Sequence, residues 1–325
     1  MKLHDELKQE ILELKEQGFS NRKISKKLNV PKSTIGDFLS KKSYKTWWDE
    51  YKYINEELSR NVRILLFDIE TAPCIHYNWG RWKQNVVQSQ VIREGHILTW
   101  AAKFLGEDTV TYDAIWDHPS YKEDTSSDFL VCQSFYELIK EADIVVYHNG
   151  DKFDFPWLRT QWVKHGFDPT IPIRSVDTLK LAKSQFRFPS NRLGDLAFYL
   201  GLEQQKMDTG GFQLWSKCDL DQDPEAQQKM VDYNIQDIFT LEDVYLKLRA
   251  WDMRHPNVSV YYPDNKARCV VCGSDDLHLE EKRVTTNLSL FEVMTCGNCG
   301  KPNRKRVSLL GKTKRQNLVT NILGR

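Results

Sequence analysis

The chain has 325 residues, with 46 lysines and arginines against 45 aspartates and glutamates and a formal net charge of +1 at pH 7. That length allows a sizeable core in one medium domain plus small appendages, and the balanced charge excludes a uniformly basic coat. No apolar stretch is long enough to span a bilayer, and the acid-bearing N-terminus Met1-Lys2-Leu3-His4-Asp5-Glu6 lacks the apolar core of a secretory signal.

Charge is nevertheless unevenly placed. Between Ser20 and Lys45 eight cations face Asp37 alone, and from Lys301 to Arg325 eight cations face no acid. Such basic ends suit a chain that grips a polyanion at its poles, although a solvated surface and a loose tail fit the same counts. Four of the seven cysteines fall in two close pairs, which favours metal over disulfides and a reducing cytoplasm. Cys74, Cys132 and Cys218 read as ordinary thiols.

In chain order, Leu3, Leu7, Ile11 and Leu14 recur at helical spacing, and Gly18 stops the helix. Ser20 can cap a second helix over Asn21–Leu28, and a third runs through Ser33, Thr34, Ile35, Phe38 and Leu39. The stretch from Gly18 to Ile35 resembles the helix-turn-helix of resolvase-type and other prokaryotic DNA-binding domains. That resemblance implies that Lys32, Ser33 and Thr34 face the major groove. A three-helix interaction module is the alternative. Lys41 to Arg60, with Trp47, Trp48, Tyr51 and Tyr53, forms the connection to the next domain.

Val62 to Thr71 is an apolar, β-branched run that predicts a buried central strand. Asp68 and Glu70 are two apart, so both side chains point to one face. Two like charges buried together call for a hard divalent cation, unless the strand simply ends with both acids in water. Next comes a loop, Tyr77-Asn78-Trp79-Gly80-Arg81-Trp82-Lys83, whose rings can stack unpaired bases while its cations meet phosphates, or can plug the core rim. Ile97–Phe104 and Thr109–Ile115 predict strands, and Phe129–Glu141 a helix. Asp143–Tyr147 predicts a second buried strand, followed by a turn and a helix with Asp154 near its start. Ile173–Leu179 reads as a strand, Asn191–Leu202 as a helix, and Asp223–Trp251 as a long helix that places Tyr233 and Asp237 on one face.

Asp68-Ile69-Glu70, then Asn149 through Phe153-Asp154, then Tyr233-x-x-x-Asp237, resemble the three motifs of the DnaQ-like (DEDD) 3′–5′ exonucleases. The tyrosine points to the subclass that includes proofreading domains of family B DNA polymerases, and the chain is also similar to stand-alone bacteriophage exonucleases. The resemblance implies an α/β, ribonuclease H-like fold, a mixed sheet flanked by helices. It further implies Asp68, Glu70, Asp154 and Asp237 as ligands of two Mg²⁺ or Mn²⁺ ions and Tyr233 as the residue that orients the attacking water. Nucleic-acid contacts are expected at Thr71, Asn149 and Phe153 beside the motifs, and at Trp79 and Arg81 in the aromatic loop.

Cys269-x-x-Cys272-Gly273 and Cys296-x-x-Cys299-Gly300 have the spacing of a zinc ribbon, with one structural Zn²⁺ held by four thiolates. Leu277–Thr286 and Leu288–Thr295 can form a hairpin between them. The expected organisation is a helix-turn-helix over 1–46, a linker over 47–61, an exonuclease domain over 62–255, a zinc ribbon over 264–303 and a basic tail over 304–325. The activity expected is hydrolysis of DNA from single-stranded 3′ ends, in the cytoplasm of a bacterium or phage-infected host, beside unidentified replication or recombination proteins. The alternatives are an RNA-trimming or structure-specific nuclease of the same fold, and a DNA-binding regulator with a non-catalytic core. Retention of all four acids and the tyrosine argues against that regulator.

Overall fold

A computed structural model describes residues 3–40, 62–170, 172–202, 210–320 and 322. The connection with Trp47, Trp48, Tyr51 and Tyr53 lies outside the described residues. The chain divides into two compact units, one of Met1–Asn61 with Tyr261–Asn265 and one of Val62–Val260 with Lys266–Arg325.

In the first unit, α1 (Asp5–Glu16), α2 (Asn21–Leu28) and α3 (Lys32–Ser40) form at the expected places. Ser20 caps α2 by accepting Lys23 N–H, and Asn29 ends it in the left-handed conformation, where asparagine is well tolerated. Ile11, Leu14, Ile24, Val30 and Ile35 make the buried core. Lys32 and Ser33 are exposed and Thr34 is half-buried.

The larger unit is built on a five-stranded sheet in the order β5-β4-β1-β6-β7, where β1 is Ile64–Thr71, β4 Ile97–Phe104, β5 Thr111–Ala114, β6 Ile144–Tyr147 and β7 Arg174–Asp177. β1 is antiparallel to β4 and parallel to β6, so the sheet is mixed. Alternation along β1 sorts its side chains. Leu65, Phe67 and Ile69 enter an apolar cluster with Val131, Phe135, Leu158 and Trp162 from α4 (Phe129–Ile139) and α5 (Asp154–Lys164). The opposite face carries Asp68 and Glu70. There α9 (Pro224–Leu248) packs across β1 and β4, started by Pro224 and by Asp223 accepting Glu225 N–H. This is the mixed sheet flanked by helices expected from the sequence. β2 (Ile75–His76) and β3 (Val91–Arg93) pair as a small ribbon at the base of the aromatic loop.

Three expectations are corrected. The segment read as a strand over Ile173–Leu179 stops at Asp177, whose side chain accepts Leu179 and Lys180 N–H and so starts α6 (Thr178–Gln185). The helix expected over Asn191–Leu202 is shorter, α7 spanning Leu193–Tyr199. Between the cysteine pairs the expected hairpin splits in two. β8 (Leu277–Leu279) pairs with β11 (Val293–Cys296), while β9 (Val284–Thr286) pairs with β10 (Ser289–Phe291). A further strand, β12 (Pro302–Arg304), joins β11, and Leu309 N–H donates to Leu290 O at 2.7 Å. The first residues past 303 therefore pair with the ribbon. A short helix, α10 (Lys312–Gln316), lies beyond them. No helix among the described residues is long and apolar enough to cross a membrane.

Candidate active site and cysteine cluster

The parallel register of β1 with β6 ends at Leu66 opposite Val146, so the strand's last residues project past the carboxyl end of β6. Open α/β sheets characteristically bind ligands in such a crevice. Asp68 and Glu70 stand there, each half-buried. Beyond β6, Asn149 adopts φ 71°. Its N–H is held by Asp177 Oδ1 at 3.0 Å, and its carbonyl accepts Lys152 and Phe153 N–H. That turn delivers Asp154 as the first residue of α5, buried, with Oδ1 accepting Ile69 N–H at 3.2 Å. Asp154 thus occupies the backbone donor that β6 no longer reaches.

From α9 come Tyr233, Asn234 and Asp237, all buried. Asn234 Nδ2 donates to Asp68 Oδ2 at 2.9 Å, and the Tyr233 hydroxyl is hydrogen-bonded to Asp237. Trp215, on the one-turn helix α8 (Gln213–Ser216), donates its indole N–H to Glu70 Oε2 at 3.0 Å. The four acids and the tyrosine expected from the sequence thus come together around the end of β1.

The electrostatics reflect this crowding. Burial first, and then the Asp154, Glu70 and Asp237 carboxylates, hold the Asp68 carboxyl well above the ordinary carboxylate range, against the hydrogen bond from Asn234. Burial pushes Asp154 up to about 7, opposed by backbone N–H groups including that of Ile69. Burial and the neighbouring carboxylates also push the Tyr233 phenol up, which keeps it a neutral O–H donor. A set of hard oxygen donors whose mutual repulsion disfavours the charged form fits divalent ions, which reverse that penalty.

Asp68 and Asp237 line a cleft of about 490 Å³ together with His148, Asn149, Lys183 and Arg192. Lys183 and Arg192 are exposed and pair with no carboxylate among the described residues. His148 braces this wall, with Nδ1 2.9 Å from Thr178 Oγ1 and Nε2 2.9 Å from Asn191 O. The carbonyl can only accept, so Nε2 carries a proton. The remaining expected contacts are more dispersed. Thr71 ends β1 half-buried, and Phe153 is 39 % exposed with its ring 6.5 Å from that of Trp157. Trp79 is 98 % exposed and Arg81 is exposed, on a loop that the cleft lining does not include.

Sequence reasoning assigned no role to Trp215, Asn234, Lys183 or Arg192. Asn234 lies inside the quoted third motif, one residue from Tyr233, and its helical position was the available signal. Trp215 left none, because a single turn of helix has no period to read.

Sγ atoms of Cys269, Cys272, Cys296 and Cys299 all lie within 4.8 Å of one another. Gly273 and Gly300 take φ +73° and +76°, so each knuckle can fold back and donate its glycine N–H to the carbonyl of its first cysteine. Asn303 Nδ2 approaches Cys269 Sγ at 3.7 Å and Asn298 Nδ2 approaches Cys272 Sγ at 3.6 Å. Cys269 is pulled down to about 4, first by the hydrogen bond from the Cys272 thiol, which is itself pushed up. Four converging sulfurs with polar support fit a small zinc-binding module. A second group, Asp128, Cys132 and His165, is internally satisfied. Asp128 accepts from Ile97 N–H at 3.0 Å and sits 2.7 Å from His165 Nε2.

Residues 95–249, just under half of the chain, match a family model described as the RNase_H superfamily. The span takes in Asp154, Tyr233 and Asp237 and begins after Asp68 and Glu70. Together with the mixed sheet flanked by helices described above, that match is consistent with a ribonuclease H-like fold over this part of the chain. Among solved structures, the family B DNA polymerase of the hyperthermophilic archaeon Pyrobaculum calidifontis is similar with a TM-score of 0.41 and 15% identity. The match covers 59% of this chain and 26% of the polymerase, so the chain corresponds to about a quarter of that protein's length.

Proposed function

We propose that the protein is a metal-dependent 3′–5′ exonuclease that hydrolyses phosphodiester bonds of DNA. The observation that carries this reading is the convergence of Asp68, Glu70, Asp154 and Asp237 with Tyr233 at the end of β1. In it, the four carboxylates hold two Mg²⁺ or Mn²⁺ ions, which when bound stabilise charge on the phosphate and the leaving 3′ oxygen. Tyr233, neutral and hydrogen-bonded to Asp237, orients the attacking water. Lys183 and Arg192 meet the backbone phosphates of the strand in the cleft, and Asn149, Thr71 and Phe153 meet the terminal nucleotides. The exposed Trp79 and Arg81 supply stacking and charge for the strand further out.

The ends act as grips in this reading. The exposed Lys32 and Ser33, with Thr34, place α3 against duplex DNA as a helix-turn-helix, and the four-cysteine ribbon is a structural zinc module next to the basic tail. Digestion of 3′-labelled linear and of circular single-stranded DNA, with Mg²⁺ and with EDTA, tests the activity. Expected are mononucleotides from the linear substrate in Mg²⁺, with the circle untouched. Cleavage of the circle would instead indicate an internal, structure-specific nuclease, and preference for the RNA counterpart an RNA-trimming enzyme.

A further inference from the structure

Trp215 touches both the first and the third carboxylate motifs. Its Nε1–H donates to Glu70 Oε2 at 3.0 Å, and its ring lies edge-on to Tyr233 with centroids 6.2 Å apart. The turn carrying it is well anchored. Leu214 and Cys218 are buried with Ala226, Met230 and Tyr233 in one apolar cluster, and a five-residue π-turn, Lys217–Asp221, comes directly after. Such π-turns recur at functional sites, where they displace side chains that a regular helix would align.

The chemistry of the donor is informative. Indole N–H can only donate, so the bonded Glu70 oxygen is an acceptor. Unlike a lysine or arginine, the indole brings no charge that competes with a cation. Asn234 holds Asp68 Oδ2 in the same way, at 2.9 Å. Both strand carboxylates are therefore steadied by neutral donors, which bring no positive charge to compete with a cation.

We propose that Trp215 is a positioning residue for divalent-ion binding: its N–H holds Glu70 as a ligand, and its ring steadies Tyr233 beside it. The inference rests on the reading of the carboxylates as an ion site. Loss of a hydrogen-bonding partner behind a metal ligand typically weakens affinity about 10- to 100-fold, so the effect is measurable.

The test is Mn²⁺ binding without substrate, by calorimetry and by the Mn²⁺-induced rise in Tm. It compares the full-length wild type with Trp215→Phe, Trp215→Gln and Glu70→Gln. Phenylalanine keeps a ring against Tyr233 and loses the donor, whereas glutamine keeps an N–H donor and loses the ring. Positioning through the N–H requires Trp215→Phe to bind Mn²⁺ at least about tenfold more weakly than wild type, with Trp215→Gln in between. Wild-type affinity in Trp215→Phe, or weaker binding in Trp215→Gln than in Trp215→Phe, would make the residue a packing element and overturn the proposal. Should Trp215→Phe fail to fold, Trp215→Gln decides: a loss matching Glu70→Gln overturns it, and a smaller loss supports it. Absence of Mn²⁺ binding in wild type itself would instead remove the ion site on which the inference stands.

Discussion

The Asp154 carboxylate accepts the backbone N–H of Ile69 at 3.2 Å, so the acid of the second motif is fastened to the residue between the two acids of the first. This bond forms because β6 stops pairing at Leu66 and leaves β1 with a free edge where the acids stand. Sheet termination, helix start and carboxylate convergence are thus one local event. It also separates the acids by structural role. Asp154 satisfies a buried backbone donor, whereas Asp68, its pKa pushed up first by burial and then by three neighbouring carboxylates, adds repulsion to the cluster.

That difference sets the first prediction. Asp68→Asn keeps an acceptor for Asn234 and removes a like charge. It should abolish hydrolysis, by at least about a hundredfold, while the Tm in EDTA holds or rises. Asp154→Ala should also abolish hydrolysis, but it leaves the Ile69 N–H unpaired at a cost of roughly 1–3 kcal/mol. Turnover in Mg²⁺ and melting in EDTA check both. A folded Asp68→Asn protein with near wild-type turnover would remove Asp68 from the site.

Tyr233→Phe should be milder than loss of an acid. The phenol donates from a buried position beside Asp237 and is not one of the proposed ion ligands. Turnover should fall by up to about a hundredfold through misplaced water, with Mn²⁺ affinity little changed. Parallel losses in rate and affinity would contradict a water-orienting role.

Strong periodicity or chemistry made much of this legible beforehand. The eight-residue run of β1 with acids at alternate positions, the i to i+4 pair Tyr233 and Asp237, and the two cysteine knuckles are patterns of sequence spacing that survive folding unchanged. The segments misread are those where a side chain overrides a local trend. Asp177 converts the end of a β-branched run into a helix start by accepting two N–H groups, and no hydropathy pattern records that. The partners of the acids were hidden for a different reason. Trp215 lies 145 residues from Glu70 and Asn234 lies 166 from Asp68, so only the tertiary fold brings them together.

One buried imidazole and one half-buried one give a pH prediction. His96 and His255 are held below the ordinary histidine value, each first by burial, and for His96 against the pull of Asp219. The unfolded chain takes up protons near pH 6.5 while the folded chain does not, so stability is lost as pH falls through and below that value. Wild type should therefore lose more Tm than His96→Gln between pH 7.5 and 5.5. Equal losses would mean that His96 becomes protonated in the folded state as readily as in the unfolded one.

The cysteine module should contain one zinc ion per chain by elemental analysis. Its side of the larger unit is joined to the segment after α9 by buried Lys301, whose Nζ donates to Asp252 O at 2.8 Å. Cys296→Ser should lose the zinc and expose sites beyond residue 264 to protease, because so small a core does not hold without its metal. Turnover on a very short oligonucleotide should be little changed. If that turnover vanishes while residues 62–255 stay protected, the module takes part in the chemistry.

The last prediction concerns reach. An exonuclease cleft grips a few terminal nucleotides, so on its own it binds long polymers weakly. The three-helix unit has a packed core of Ile11, Leu14, Ile24, Val30 and Ile35 and an exposed basic edge at Lys32, and tethering would turn its phosphate contacts into a gain in local concentration. Deleting residues 1–45 should weaken binding to long, partly duplex DNA and flatten its salt dependence, each lost phosphate contact lowering the log–log slope by about one unit. Turnover on a short single strand should barely move. Lys32→Ala alone should lower the slope by about one unit if α3 is the contacting helix. The measurement is affinity against salt for full-length and shortened protein on the same duplex. Identical slopes and affinities would mean that these helices serve a partner other than DNA.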